Sequence, residues 1–196
     1  MKITQAIFSG SCRFVKDKPK LRLPEFAFIG RSNVGKSSLI NALCKHGQLA
    51  HISSKPGKTQ LINHFLINNS WYLVDLPGYG YAKRSKSDRA VLTEIIRGYI
   101  NGSEELVNLF VLLDSRLDIQ EIDLKFILEL GEASVPFSII FTKCDKNSNS
   151  ALENQIKKNI VTLTEHWEEL PPVFLSSTES GKGREEILNY IGTLLK

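Results

Sequence analysis

The segment from Gly30 to Ser37 has the residue types and the spacing that bind nucleotide phosphates, because it matches the pattern G-x-x-x-x-G-K-[ST]. Glycines let the backbone approach phosphate oxygens, and main-chain amides at a helix start point at the anion. The Lys36 ammonium adds positive charge, and the Ser37 hydroxyl is a magnesium ligand in loops of this kind. The predicted phosphate-binding residues here are Gly30, Arg31, Ser32, Asn33, Val34, Gly35, Lys36, Ser37 and Ser38.

A D-x-x-G pattern at Asp75 to Gly78 follows the phosphate loop after a predicted β-hairpin. The Asp75 carboxylate is suited to hold Mg²⁺ through a water molecule, and the Gly78 amide is suited to contact a terminal phosphate. Because the two patterns are separated by one hairpin, we predict that they contribute to one site.

The segment from Lys55 to Gln60 offers a further oxygen ligand for the same metal ion. Thr59 is the candidate ligand, with Gly57 beside the phosphates, and Ser53 and Ser54 are its rivals. A threonine in such a loop is ordered only by a triphosphate. Together with the D-x-x-G glycine it would let two loops sense the terminal phosphate, which predicts a switch.

Two more segments carry the chemistry that recognises a guanine base. The Asp145 carboxylate can accept hydrogen bonds from N1 and N2 of guanine, whereas adenine would leave it unpaired. Lys143 would lay its aliphatic stem along the base. The predicted base site consists of Thr142, Lys143 and Asp145 after one strand and of Ser176, Ser177 and Thr178 after the last strand.

All these segments lie at the ends of predicted strands, where ligands bind in open α/β sheets. The predicted strands are Glu25–Ile29, Gln60–Ile67, Trp71–Leu76, Leu106–Leu113, Pro136–Phe141 and Val173–Leu175. The predicted helices are Ser38–Leu43, a helix that follows Ser87 and ends near Ile100, Ile119–Gly131, Ala151–Trp167 and Arg184–Leu195. This alternation predicts an α/β fold with a six-stranded, mainly parallel sheet, one antiparallel strand, and helices on both faces.

The domain organisation follows from composition. Residues 25–196 are expected to form a single nucleotide-binding domain, and residues 1–24 a basic extension packed on it or preceding it, with one short strand around Ile3–Phe8. The first 60 residues hold eleven of the 25 Lys and Arg residues but two of the 21 acidic residues. This bias indicates either a polyanionic partner or a solvated basic face.

The remaining composition predicts a cytoplasmic protein without a membrane segment. The three cysteines lack C-x-x-C spacing, so neither a zinc site nor a disulfide framework is indicated. The longest apolar stretch, Leu106 to Leu113, is far shorter than a membrane span, and no secretory signal is evident. His64 is expected on the exposed face of its strand.

A cluster of basic residues follows the D-x-x-G segment and lies near Tyr79 and Tyr81 in the sequence. Cationic side chains bind RNA phosphates, and aromatic rings stack on exposed bases, so this cluster is a candidate surface for ribosomal RNA. A solvated helix start is the alternative interpretation. The candidate residues are Lys83, Arg84, Lys86 and Arg89.

With these segments the chain resembles the EngB (YihA/YsxC) family of bacterial ribosome-biogenesis GTPases, within the translation-factor class. The most specific match is the run Pro-Gly-Tyr-Gly-Tyr-Ala at 77–82. The resemblance is also carried by residues 30–41, by Pro56 to Gln60, by Asp75-Leu76, by Asp114-Ser115-Arg116 and by Asp123.

The resemblance implies the Ras-like three-layer fold of P-loop GTPases, binding of GTP and GDP with Mg²⁺, GTP hydrolysis, and a role in maturing the large ribosomal subunit. The protein is expected to be a monomer. Ras-type GTPases place a glutamine after the D-x-x-G glycine to orient water. Tyr79 takes that position here, which predicts slow intrinsic turnover. Asn33 matches the asparagine that binds K⁺ in related cation-stimulated GTPases, or it is simply tolerated in the loop.

Two other functions fit parts of the pattern. A P-loop kinase would share the phosphate loop, but the D-x-x-G and Thr142–Asp145 segments fit a GTPase better. A regulatory G protein, for example one acting in cell division, would use a protein partner and leave ribosomal subunit profiles normal. Base preference in a nucleotide-binding assay distinguishes a P-loop kinase from a GTPase. Ribosomal subunit profiles after loss of the protein distinguish a regulatory G protein from a ribosome-assembly factor.

Overall fold

The strands of the described part of the chain form one sheet. The structure, a computed structural model, describes residues 1–45, 49, 61–80 and 85–196. Its strands are β1 (Ala6–Cys12), β2 (Glu25–Gly30), β3 (Ile62–Ile67), β4 (Trp71–Asp75), β5 (Leu106–Asp114), β6 (Phe137–Thr142) and β7 (Val173–Leu175). They lie side by side in the order β1-β3-β4-β2-β5-β6-β7.

The sheet is mainly parallel, as predicted. Strand β2 pairs in parallel with β4 and β5, and β6 pairs in parallel with β5 and β7. Strand β3 is antiparallel to both β1 and β4, so it runs against the other described strands. The carboxyl ends of β2, β4, β5, β6 and β7 therefore meet at one edge of the sheet.

Helices cover both faces of the sheet. They are α1 (Lys36–Cys44), α2 (Lys86–Gly102), α3 (Glu121–Glu132), α4 (Asn149–Thr164) and α5 (Arg184–Leu194). Successive β2 side chains alternate between two cores: Phe26 and Phe28 pack in the core that includes α1 and α5, whereas Ala27 and Ile29 pack in the core of α2, α3 and α4. The predicted three-layer α/β architecture is confirmed. None of the described helices is both long enough and apolar enough to cross a bilayer.

The predicted strand count needs a correction, because the described sheet has seven strands rather than six. The additional strand, β1, pairs with β3 from Ala6 opposite Ile67 to Cys12 opposite Ile62, with an irregularity between Phe8 and Gly10. Without it, β3 would present an unpaired edge. The predicted strand at Ile3–Phe8 therefore lies further along the chain and belongs to the central sheet.

Lys18 ties the N-terminal segment to the sheet. Its ammonium is 2.9 Å from Glu25 and 2.6 Å from Glu105, and it donates a 2.8 Å hydrogen bond to Ser103. Because the Lys18 side chain is only 13% exposed, these contacts are shielded from solvent. The segment that precedes β2 thus contacts both the start of β2 and the connection between α2 and β5.

The prediction that His64 lies on an exposed face is wrong, since the residue is fully buried. Its ring lies 5.7 Å from the ring of Tyr72 and 6.4 Å from that of Tyr99 on α2. Neither ring nitrogen has a hydrogen-bond partner within the described residues. Burial lowers the pKa of His64 to about 4, although the Glu25 carboxylate opposes this shift.

We expect this histidine to make folding stability depend on pH. His64 stays neutral in the folded state but is protonated near pH 6.5 when unfolded, so its contribution is complete above about pH 6.5 and is lost as the pH falls toward 4. Between about pH 7.5 and pH 5 the loss is about 2 kcal/mol in the free energy of unfolding.

Denaturant titrations of wild type and His64→Phe at both pH values measure this effect. The variant should lose about 2 kcal/mol less than wild type on acidification. The exposed His166 offers a matched control, and His166→Phe should behave as wild type. An equal pH dependence of the free energy of unfolding in wild type and His64→Phe would show that His64 is not its source.

Candidate functional site

The loop from Gly30 to Gly35 connects the end of β2 with the start of α1. A Cβ atom on Gly30 would lie 2.8 Å from the Leu112 carbonyl oxygen, and Gly35 has a φ angle of 101°, so both positions require glycine. Within the described structure, no side chain caps the first turn of α1. The main-chain amides at this helix start are therefore available to an anion.

The predicted phosphate and metal residues Lys36, Ser37 and Asp75 lie at the same edge of the sheet. Asp75 ends β4 and is 3% exposed, and its carboxylate forms an ion pair with the Lys36 ammonium on the first residue of α1. Ser37 and Ser38 follow in the same turn and are half-buried. One carboxylate and one hydroxyl beside a phosphate loop are oxygen donors of the kind that Mg²⁺ prefers.

The segment after β4 packs directly against the phosphate loop. The Leu76 amide donates to the Phe28 carbonyl at 3.0 Å, and the Tyr79 amide donates to the Gly30 carbonyl at 3.2 Å. Between them, a Cβ atom on Gly78 would lie 3.0 Å from the Gly30 carbonyl oxygen and 3.3 Å from the Ser32 amide. The D-x-x-G glycine is thus held where its small size permits contact with the loop.

The residues at the carboxyl end of β6 form hydrogen bonds with the phosphate loop on the side opposite Gly78. The Thr142 hydroxyl donates to the Val34 carbonyl at 2.6 Å, and the Lys143 ammonium donates to the Asn33 carbonyl at 2.6 Å. Lys143 also donates to Asp114 at the end of β5, at 2.9 Å. These bonds join the predicted base-binding segment to the predicted phosphate-binding segment.

Asp114 orients Lys143 and is itself held by Arg116. The Arg116 side chain donates two hydrogen bonds of 2.9 and 2.8 Å to the Asp114 carboxylate. Burial acts against the charged form, but hydrogen bonds from Arg116 and Lys143 hold the pKa of Asp114 well below its usual range. In the sequence, Asp114 is among the residues that carry the family resemblance but has no predicted role at the site, although its place at the end of a parallel strand is a usable signal.

A cavity of about 170 Å³ lies beside the phosphate loop and contains most of the predicted base-binding residues. The Asp145 carboxylate accepts a 2.7 Å hydrogen bond from the Ser177 hydroxyl, and this bond lowers the pKa of Asp145. Ser177 therefore orients Asp145 rather than lining the cavity. The predicted residues that line the cavity are Gly35, Ser38, Thr142, Lys143, Asp145, Ser176 and Thr178.

Several predicted residues lie outside the described part of the chain, or have side chains outside it. Gly57 and Thr59 are not among the described residues, nor are their rivals Ser53 and Ser54. Of the predicted RNA contacts, Lys83 and Arg84 are likewise outside, Lys86 is known only as the first residue of α2, and Arg89 is exposed on that helix.

A protein-family model described as "50S ribosome-binding GTPase" matches residues 25–143 of the chain. It therefore spans the phosphate loop, the D-x-x-G segment and Lys143, and it stops before Asp145.

Curated relatives match almost the whole chain. A "Probable GTP-binding protein EngB" of Phocaeicola vulgatus is 57% identical over 194 residues, which is 99% of this chain and 97% of the relative. A protein with the same description from Porphyromonas gingivalis is 56% identical over 194 residues, covering 99% and 96%. The similarity thus includes the N-terminal segment and α5.

Solved structures show the same fold. The crystal structure of a probable GTP-binding protein engB has a TM-score of 0.65 and 26% identity, covering 87% of this chain and 98% of that one. Aquifex aeolicus Era bound to GDP.AlF4⁻ has a TM-score of 0.70 and 21% identity, covering 90% and 58%. The second likeness concerns the fold alone.

Proposed function

Because the chain belongs to the EngB family of P-loop GTP-binding proteins, we propose that it hydrolyses GTP slowly and acts as a nucleotide-dependent switch in assembly of the large ribosomal subunit. The observation that carries the proposal is the double contact of the phosphate loop, with Gly78 on one side and with Lys143 on the other. One loop thereby links terminal-phosphate contact to base recognition.

In this proposal the base enters the cavity beside Asp145. The carboxylate accepts the N1 and N2 hydrogen atoms of guanine, and adenine, which offers no such pair of donors, is rejected. Ser177 keeps the carboxylate oriented through its 2.7 Å hydrogen bond. Lys143, fixed by Asp114 and the Asn33 carbonyl, supports the base from one side.

The phosphates then lie against the start of α1. The amides of the loop and the Lys36 ammonium neutralise them, and the Gly78 amide contacts the terminal phosphate. Ser37, Thr59 and, through water, Asp75 are the residues that would hold Mg²⁺, which supplies charge stabilisation for the transferred phosphoryl group. The oxygen donors of Ser37 and Asp75 fit this ion.

We also propose that the chain is a cytoplasmic monomer in which residues 25–196 form the GTP-binding domain and residues 1–24 its basic extension. All three cysteines are buried free thiols, which agrees with a reducing compartment. The description of the matching family supports a ribosomal partner, and the basic first third of the chain supports contact with RNA, in which Lys83, Arg84, Lys86 and Arg89 would take part.

Depletion of the protein from its host tests the ribosomal role. We expect fewer mature large subunits and an accumulation of their precursors in sucrose gradients, restored by the wild-type chain. A normal subunit profile would contradict the role and favour a regulatory G protein that acts on a protein partner.

We expect turnover to be faster in K⁺ than in Na⁺. Asn33 is exposed at the phosphate loop with a φ angle of 65°, where a cation bound by its side chain would lie near the phosphates. A K⁺ ion there would do the charge work of an arginine finger, so we expect a rise in rate of about tenfold or more. Phosphate release measured in each salt checks this, and Asn33→Ala should remove the difference. Equal rates in both salts would contradict potassium binding at Asn33.

A further inference from the structure

Arg31, Tyr79 and Asp123 form a cluster, here called the clasp, beside the phosphate loop. The Tyr79 phenol donates a 2.9 Å hydrogen bond to one oxygen of Asp123. The Arg31 guanidinium forms a 3.0 Å ion pair with the other oxygen. The three residues come from the phosphate loop, the segment after β4, and α3, so the clasp joins three separate parts of the chain.

Asp123 is the buried member of the clasp, whereas the Arg31 side chain is 26% exposed. The Asp123 side chain is 2% exposed, and the Gln120 amide also approaches its second oxygen, at 3.4 Å. The Tyr79 ring packs on Phe126 of α3 with its centroid 4.8 Å away. Burial, followed by the charge of Asp123, raises the pKa of Tyr79 well above its ordinary value, so the phenol keeps its proton and remains the donor.

This arrangement determines what Tyr79 can do in the reaction. Its hydroxyl is committed to Asp123 and points into α3 rather than to the phosphates, so it does not orient the attacking water. Its backbone, however, is pinned to the phosphate loop through the Gly30 carbonyl at 3.2 Å and through a bridge with Arg31. Gly78 lies directly before it, and its position therefore depends on the clasp.

We propose that Asp123 is a positioning residue for the terminal phosphate: by holding Tyr79 and Arg31 it fixes the Gly78 amide against the phosphate loop. This inference rests on the proposed GTPase function. The amides at the start of α1, which contact the inner phosphates, belong to a different element and do not depend on Asp123. Loosening the clasp should therefore weaken binding of a triphosphate and leave binding of a diphosphate nearly unchanged.

Two substitutions loosen the clasp without changing its shape. Asp123→Asn keeps an acceptor for Tyr79 but removes the charge that faces Arg31, and Tyr79→Phe keeps the contact with Phe126 but removes the donor. The matched control is Asp118→Asn, because Asp118 lies in the connection that precedes α3, five residues before Asp123, but is exposed and pairs with Lys158 at 2.6 Å.

The experiment measures dissociation constants of GDP and of a non-hydrolysable GTP analogue, with Mg²⁺, for wild type and each variant. We expect both clasp variants to bind the analogue about tenfold more weakly and GDP within about twofold of wild type, while Asp118→Asn matches wild type. The Asp123→Asn/Arg31→Gln double variant should bind the analogue little more weakly than Asp123→Asn or Arg31→Gln alone, because both residues act through one ion pair.

A purely structural role gives a different result. If both nucleotides weaken equally, or if neither weakens, Asp123 does not position the terminal phosphate. Tyr79→Phe carries the test by itself should the buried Asp123→Asn fail to fold. Failure of the wild-type chain to bind GDP would instead contradict the proposed function, so the two failures are distinguishable.

Discussion

Replacing Asp145 by Asn is expected to change the preference of the site from guanosine to xanthosine nucleotides. In the proposed complex the Asp145 carboxylate accepts two N–H bonds from guanine, whereas an amide offers one acceptor and one donor. Xanthine matches the amide because it presents N1–H together with a carbonyl at C2. Losing one charge-assisted bond and leaving a donor facing a donor costs about 3 kcal/mol, so GDP affinity should fall by roughly 100-fold.

Competition with a fluorescent nucleotide measures this change. The variant should prefer XDP to GDP, and wild type should show the reverse order. Asp118→Asn makes the same chemical change at an exposed carboxylate on another loop and should leave both affinities as in wild type. A variant that retained wild-type preference for GDP would remove Asp145 from base recognition.

Replacing Gly78 by Ala is expected to abolish the response to the terminal phosphate while GDP still binds. The new methyl group would lie 3.0 Å from the Gly30 carbonyl oxygen and 3.3 Å from the Ser32 amide, so the segment must move away from the phosphate loop. A misplacement of about 1 Å at a group that contacts the reacting phosphate costs about 100-fold in rate, and the shift of a few tenths of an ångström that these contacts demand should cost about tenfold. We expect kcat/KM for GTP to fall by about tenfold and GDP affinity to change by less than about threefold.

Gly98 provides a matched control for this substitution. It lies in α2, and a Cβ atom there would meet nothing within 4 Å. Gly98→Ala should therefore leave turnover at the wild-type value and, as a helix-interior change, raise stability by about 0.5 to 1 kcal/mol. Wild-type kcat/KM in Gly78→Ala would show that Gly78 does not contact the terminal phosphate.

The sequence predicts well which segments meet at the carboxyl edge of the sheet, because the patterns that mark these segments are local. The glycines and Lys36 lie within one short segment, and strand–helix alternation brings Asp75 and Thr142–Asp145 to the edge where Gly30 ends β2. The parallel sheet then brings these segments together, since the carboxyl ends of parallel strands meet at one edge. The spacing of the motifs along the chain is therefore sufficient to predict that Thr142 and Lys143 lie close to the phosphate loop.

The features that were missed depend on contacts between distant parts of the chain. His64 is buried because β1 continues the sheet beside β3 and because Tyr99 of α2 covers its face, and neither is visible in the alternation of β3 itself. Asp123 has the local sequence of an ordinary helix start, where acidic residues are common. The family resemblance includes Asp123, but its partners Arg31 and Tyr79 are 92 and 44 residues away, so only the fold identifies its contacts.

The most direct test of the proposed switch is co-sedimentation with purified large ribosomal subunits, comparing the non-hydrolysable GTP analogue with GDP. We expect at least about fivefold more protein to co-sediment with the subunits in the presence of the analogue than in the presence of GDP. Gly78→Ala should lose this dependence on the nucleotide. In Asp145→Asn the same dependence should follow xanthosine nucleotides, which assigns the effect to this site. Equal binding of the wild-type chain with either nucleotide, or no binding with both, would contradict a nucleotide-dependent role on the ribosome.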